Sequence, residues 1–137
     1  MTNGYSGTPL AKKLGIKDGF HIQVFGAPKP YLEFFRDFPE EVQEHSPGPL
    51  EEPIDFLHLF VTTRDDLETF FAIAKANMKP NAILWISWPK KSSKIETELD
   101  KGTIRQFGLD GGLVDTKVAA IDADWSGHKF VIRVKDR

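Results

Sequence analysis

The chain has 137 residues, of which 40% are hydrophobic and 28% charged, and its 20 acidic and 18 basic side chains give a formal net charge of −2. This length suffices for one globular domain, and the charge lacks the basic excess of a general nucleic-acid-binding protein. The lack of cysteine excludes disulfides, thiol catalysis and thiolate-bound metals. No apolar run reaches the ~20 residues of a membrane helix and the N-terminus does not resemble a signal peptide, so we expect a cytoplasmic protein without a membrane partner.

The first half of the chain alternates turn residues with short apolar segments. Thr8 is expected to cap a short helix whose first residue is Pro9 and which Gly15 ends. The pattern then predicts a strand over residues 20–25, helical spacing of apolar side chains over 31–38, and an acidic turn or helix over 40–44. Residues 46–53 are rich in proline and are predicted to form a loop, too short to separate two domains.

The second half predicts strands and helices in alternation. Apolar runs over residues 54–61 and 82–87 indicate buried strands, and Thr62 and Thr63 precede a helix that ends at Pro80. The apolar stripe of this helix consists of Leu67, Phe70, Phe71, Ala74 and Met78. A weaker helix is predicted over 97–107, followed by a hairpin of two strands over 114–121 and 130–135.

Strands separated by helices are typical of βαβ units. We therefore expect an α/β fold with three layers, in which residues 1–137 form a single domain around a mainly parallel five-stranded sheet that closes with a C-terminal antiparallel hairpin. In such sheets ligands bind outside the carboxyl ends of the strands, here near Gly26, residues 62–63 and residues 87–91.

Several peptide motifs resemble those of a small bacterial family, a domain of unknown function. The motifs are GYSGTPLAKKLGI at residues 4–16, LHLFV at 57–61, LWISWPKK at 84–91, GLVD at 112–115 and WSG at 125–127. The resemblance spans nearly the whole chain. It implies no activity.

The order of elements also resembles a shortened S-adenosylmethionine-dependent methyltransferase domain, with the last two strands as its terminal antiparallel pair. The resemblance implies S-adenosylmethionine as a cofactor. Methyltransferases carry an acidic residue and a glycine-rich loop after the first strand, whereas this chain has VFGAPKP at residues 24–30, with one glycine and two prolines. An acidic, proline-rich segment replaces the part that would supply the carboxylate for the ribose hydroxyls. Cofactor binding in the usual mode is therefore not expected.

Two segments are candidate ligand-binding sites. Tyr5, Ser6, Gly7 and Thr8 precede a helix and can surround an anion with N–H and hydroxyl groups, although a capped terminus explains the same residues. The other candidates stand near strand ends and are Gly26, Ser87, Trp88, Lys90 and Lys91, with Lys94 close by. A solvated lysine loop and a core tryptophan are the alternatives.

Other polar residues favour structural roles. His58 lies between Leu57 and Leu59, and is interpreted as a hydrogen-bonded core histidine rather than a partner of Asp55. Asp122 and Asp124 favour a turn over a cation site. The histidines lack metal-ligand spacing and no serine stands in a nucleophile elbow, so no metal and no catalytic residues are assigned.

These observations leave three hypotheses for the function. The first is a non-catalytic, methyltransferase-like module that binds a small anionic ligand or a protein partner. The second is a divergent S-adenosylmethionine-dependent methyltransferase. In the third, the acidic segment over residues 40–52 docks a basic protein partner, for example a nucleic-acid-binding protein. Direct binding of nucleic acid by this chain is not expected.

Overall fold

The computed structural model describes residues 8–137, which fold into a mixed sheet with helices on both faces. Its strands are β1 (His21–Phe25), β2 (Gln43–His45), β3 (Ile54–Phe60), β4 (Met78–Pro89), β5 (Leu113–Ala120) and β6 (Trp125–Ile132). Its α-helices are α1 (Leu10–Leu14), α2 (Arg64–Asn77) and α3 (Lys101–Asp110), and short 3-10 helices cover Tyr31–Phe34 and Val134–Asp136.

The six strands lie in the order β2-β1-β3-β4-β6-β5. Strands β2, β1, β3 and β4 are parallel, and β6 runs antiparallel to both β4 and β5. The α/β class, the mainly parallel sheet and the C-terminal hairpin are thus confirmed. The predicted number of five strands is wrong, because the described residues form six.

The additional strand, β2, lies where an acidic turn or helix was predicted. Gln43 pairs with His21 of β1, and the backbone N–H of Gln43 donates to the carbonyl of Phe20 at 2.9 Å. Glu41 has a φ of +58°, which a helix does not permit. Backbone pairing with β1 outweighs the weak local preference of these glutamates for a helix.

Three other boundaries differ from the predictions. Strand β4 begins at Met78, directly after α2, and a register irregularity between Ile54 and Phe56 of β3 accommodates Pro80. Helix α3 begins at residue 101 rather than 97, because the Asp100 carboxylate accepts the backbone N–H of Thr103 and caps it there. The helical spacing over residues 31–38 yields only the 3-10 helix Tyr31–Phe34, which ends at Phe35, where the backbone is extended.

The start of α1 also differs from the prediction. Pro9 stands at the cap position, before the first helical residue, with a ψ of 143°, and no side chain caps the helix. Thr8 is exposed and is not the cap. The extended backbone of Pro9 sets the entry of the chain into the helix instead.

Successive side chains along the strands point to opposite faces of the sheet, where they contribute to two apolar clusters. Leu67, Phe71 and Ala74 of α2 and Ile104 of α3 pack on one face. Ala11 and Leu14 of α1 pack with Tyr31 on the other. The predicted stripe of α2 is buried at Leu67, Phe71 and Ala74 and half-buried at Phe70, whereas Met78 already belongs to β4.

Within residues 8–137, no helix combines the length and the apolar character that crossing a bilayer requires.

Candidate functional site

The carboxyl ends of β3 and β4 border an open groove of about 750 Å³. Its lining residues come from the start of α2 and from the segment between β4 and α3, and they are Thr62, Thr63, Lys90, Lys91, Ser93, Lys94, Ile95, Glu96, Thr97, Glu98, Leu99 and Asp100. This is the edge of a parallel sheet at which α/β proteins bind ligands. The volume is within the range of small-molecule sites.

The first wall of the groove is the start of α2. The Thr63 hydroxyl accepts the backbone N–H of Asp66 at 3.1 Å and caps the helix. The carbonyl of Thr62 accepts two hydrogen bonds, from the backbone N–H of Glu98 at 3.1 Å and from the hydroxyl of Thr97 at 2.9 Å. These bonds fasten the segment before α3 to the end of β3.

The second wall is a lysine loop, residues 90–94, directly after β4. The backbone N–H of Lys90 donates to the carbonyl of Asp124 at 2.8 Å, and the Ser93 hydroxyl donates to the Asp124 carboxylate at 2.9 Å. The Asp122 carboxylate accepts the backbone N–H groups of Asp124 and Trp125. The predicted turn at these aspartates is thus confirmed, and it holds the lysine loop in place.

Three lysines and three acidic residues line the groove. Two of the carboxylates accept backbone hydrogen bonds, whereas the lysines form no ion pair within 4 Å among the described residues. Glu98 accepts the backbone N–H of Arg64 at 2.6 Å, and Asp100 accepts that of Thr103 at 2.8 Å. The hydrogen bonds from Thr103 lower the pKa of Asp100, and the nearby charge of Lys91 lowers it further. Across residues 8–137, the ion pairs include none of the three lysines.

Ser87 and Trp88 are buried and do not line the groove. Ser87 is fully buried, and its hydroxyl is 2.7 Å from Nε2 of His58. Trp88 packs in the core cluster that α2 and α3 cover. Neither lines the groove, whereas Lys90 and Lys91 do.

His58 is the centre of a buried chain of hydrogen bonds, the relay formed by Tyr31, His58 and Ser87. Its Nδ1 is 2.7 Å from the Tyr31 hydroxyl, and its ring stacks on Phe60 with centroids 4.2 Å apart. Burial lowers the pKa of His58 to about 3 and raises that of Tyr31. The neutral ring donates from one nitrogen and accepts at the other, so both are satisfied. The interpretation of His58 as a core histidine is confirmed.

Gly26 stands at the carboxyl end of β1 with a φ of +72°. A Cβ atom on this residue would lie 2.5 Å from the carbonyl oxygen of Phe60 and 3.0 Å from the ring of Phe70. Glycine is therefore required for the close approach of β1 to β3. The structure explains Gly26 without a ligand, although the residue is exposed.

Tyr5, Ser6 and Gly7 lie outside the described residues, so their assignment as an anion site stays a prediction. Sequence reasoning missed Thr97, Glu98 and Asp124 as residues that shape the groove. Their partners are 31 to 35 residues away along the chain. Only Asp100, which precedes Thr103 at capping distance, carried a local signal.

Two further polar clusters lie away from the groove. The ring nitrogens of His21 and His45 are 2.8 Å apart, and the Asp115 carboxylate contacts both Arg105 and His128. In the part of the chain that the structure describes, no group of three or more His, Cys, Asp or Glu side chains is arranged to hold a metal ion.

The comparison with known proteins finds a likeness in structure and none in sequence. No family model and no curated protein matches this sequence. A structure described as a SAM-dependent methyltransferase from Aquifex aeolicus has a TM-score of 0.68 and 16% identity, over 90% of this chain and 88% of the other.

Two other solved structures show the same fold. YjhP from E. coli has a TM-score of 0.59 and 9% identity over 90% of each chain. The magnesium protoporphyrin IX methyltransferase of Synechocystis PCC 6803, solved with bound SAH, has a TM-score of 0.58 and 7% identity, over 90% of this chain and 78% of the other. The fold is methyltransferase-like. At these identities the likeness concerns the fold alone.

The sequence resemblance to methyltransferase domains implied S-adenosylmethionine, but the described residues do not reproduce the usual binding site for it. Strand β2 ends opposite Gln23, before the level of Gly26, and supplies no carboxylate beyond that point. The Gln23 amide donates to the carbonyls of Ser46 and Gly48, which ties the loop after β2 across the sheet. The single glycine after β1 packs against Phe60.

Proposed function

We propose that the protein is a non-catalytic, methyltransferase-like module that binds a small anionic ligand in the groove after β3 and β4. The observation that carries this proposal is the set of three lysines, Lys90, Lys91 and Lys94, which line the groove without a carboxylate partner within 4 Å among the described residues. A module of this kind senses or carries its ligand rather than transforming it.

Charge supports an anion as the ligand. Three ammonium groups within five residues repel one another, and a negative charge between them relieves that repulsion. Two of the three acidic side chains of the groove are held by backbone N–H groups at the starts of α2 and α3. They stabilise the helix ends, and neither forms an ion pair within 4 Å with a groove lysine, although Asp100 interacts with Lys91 at longer range.

The absence of a reaction is proposed because the exposed hydroxyl–carboxylate pair at the groove, Ser93 with Asp124, holds the lysine loop, and a carboxylate alone is a weak base for activating a serine hydroxyl. The serine and histidine that do meet, Ser87 and His58, are both fully buried. A nucleophile acts only where a substrate reaches it.

Calorimetric titration with pyrophosphate at low ionic strength tests the proposal. We expect saturable binding that weakens as salt is added, because exposed charges are screened. The triple variant Lys90→Gln, Lys91→Gln, Lys94→Gln is expected to lose it. Lys12→Gln is the matched control, since Lys12 is exposed on α1, away from the groove. Binding that persists in the triple variant would contradict the proposal.

The methyltransferase fold favours a second candidate, a divergent S-adenosylmethionine-dependent methyltransferase. Titration with S-adenosylmethionine distinguishes it. Its sulfonium group is positively charged and suits a lysine-lined groove poorly. Saturable binding together with methyl transfer to any acceptor would support this candidate over the first.

The protein-partner hypothesis remains a proposal for the opposite edge of the sheet. Glu40, Glu41, Glu44, Glu51 and Glu52 are all exposed near β2. A basic partner suits such a surface. Charge reversal at Glu51 and Glu52 is expected to abolish copurification of such a partner, and an unchanged complex would exclude this surface.

A further inference from the structure

We propose that the ligand of the groove is an organic phosphate, a molecule that joins at least two phosphate charges to an apolar ring or chain. This inference rests on the proposed function and names the class of ligand. Its support comes from two kinds of lining residue, the lysines of residues 90–94 and the apolar Ile95.

The lysine loop favours a ligand with more than one negative charge. The lysine loop is anchored at both Lys90 and Ser93 through Asp124, so its backbone is fixed before a ligand arrives. Because Glu96, Glu98 and Asp100 also line the groove, a ligand with several negative charges competes for the lysines better than a single carboxylate does. Phosphate groups supply several charges and several acceptor oxygens within a small volume. Because the backbone of the loop is already held, binding has to order only the lysine side chains.

The hydroxyl groups of the groove add donors at the same sheet edge. Thr63 accepts the N–H of Asp66 and so keeps its own hydroxyl hydrogen to donate. Thr62 uses its carbonyl for Glu98 and Thr97, which leaves the hydroxyl outside those bonds. Both residues are half-buried. Hydroxyl donors beside lysines suit phosphate oxygens.

The apolar part of the ligand is inferred from Ile95. Large apolar side chains are exposed at four described positions, Leu32, Ile95, Val118 and Val134. Ile95 is the one among them that lines the groove, and it is 37% exposed. Leu99 lines the groove as well and belongs to the core cluster. A ring or chain on the ligand would cover Ile95 and gain the free energy of that burial.

The size of the groove agrees with such a molecule. A volume of about 750 Å³ is much larger than pyrophosphate occupies and is typical of a drug-sized ligand. Glu96 is exposed and opposes the lysines. Glu98 and Asp100 keep their charges as well, so we expect the phosphate groups to bind beside Lys90, Lys91 and Lys94, which lie within five residues of one another.

Three probes measured by calorimetry test the inference, namely ADP, pyrophosphate and adenosine. We expect ADP to bind about tenfold more tightly than pyrophosphate, because it adds an apolar ring, and adenosine to bind most weakly. Ile95→Ser is expected to weaken ADP about threefold and to leave pyrophosphate unchanged. Lys91→Gln with Lys94→Gln is expected to weaken both phosphates. Lys12→Gln again serves as the control.

The outcomes separate the two proposals. If pyrophosphate binds and ADP binds no more tightly, the organic-phosphate inference is overturned while the anion-binding function stands. If neither phosphate binds, both are overturned. If adenosine equals ADP, or if the lysine variants bind ADP normally, the phosphate groups do not occupy this groove and the inference is overturned. Thermal unfolding of each variant checks that it is folded.

Discussion

Two polar residues at the carboxyl end of β4, Ser87 and Lys90, are three positions apart in the sequence but differ in burial and in charge. Ser87 is fully buried and bonded to His58, which completes the relay with Tyr31. Lys90 begins the lysine loop on the open groove. One place consists of neutral, mutually satisfied groups, and the other of charged groups without carboxylate partners among the described residues.

The comparison shows that position at a strand end does not by itself make a residue a ligand-binding residue. A buried polar group must be satisfied within the protein, because an unpaired one costs about 1–3 kcal/mol. An exposed lysine is solvated and carries no such requirement. The relay therefore stabilises the fold, whereas the lysine loop is available to bind a ligand.

Removal of His58 gives the largest expected effect. His58→Ala leaves the hydroxyls of Tyr31 and Ser87 unpaired and opens a cavity beside Phe60. We expect a loss of about 3–5 kcal/mol in the free energy of unfolding, measured by urea denaturation. Leu32→Ala is the control, since Leu32 is 59% exposed. A loss below ~1 kcal/mol for His58→Ala would show that the relay does not hold the core.

Acid is expected to weaken the relay in a defined pH window. The folded pKa of His58, about 3, lies below the unfolded value of 6.5, so the unfolded chain binds more protons as pH falls below 6.5. Stability is therefore full above that pH and falls by about 2 kcal/mol at pH 5. His128, whose pKa burial also lowers, adds to the loss. An NMR titration in which His58 protonates near pH 6.5 would contradict this expectation.

Gly26 provides a test at the neighbouring strand end. Gly26→Ala places a Cβ against the carbonyl of Phe60 in a left-handed backbone, which we expect to cost about 1–3 kcal/mol or more. Gly19→Ala is the matched control, because Gly19 has a similar φ of +76° and nothing within 4 Å of the added atom. Equal losses in the two variants would exclude a role for the contact with Phe60.

Neutralising the lysine loop gives the smallest expected change in stability. In the triple variant of Lys90, Lys91 and Lys94 to Gln, the free energy of unfolding is expected to stay within about 0.5 kcal/mol of the original. Binding of pyrophosphate is expected to disappear in the same variant. A loss above ~1 kcal/mol would place these lysines among the groups that maintain the fold, and would remove the contrast with the relay.

Much of this architecture was predictable because its causes are local. The apolar residues around His58 predicted its burial, and the alternation of strands and helices predicted the class of sheet. Lys90 and Lys91 follow a strand, and the groove lies there. Strand β2 was not predictable, since residues 43–45 carry no strand pattern of their own and pair because β1 is beside them.

By itself, the sequence determined the periodicity of the elements, the α/β class, and the charges available at the end of β4. Only the tertiary structure decided that Ser87 is enclosed while the lysine loop stays open, and that Glu98 reaches Arg64 across 34 residues of chain. Periodicity is a property of neighbours along the chain. Burial and long-range hydrogen bonds depend on which distant segments cover a residue, and that is settled only when the layers pack.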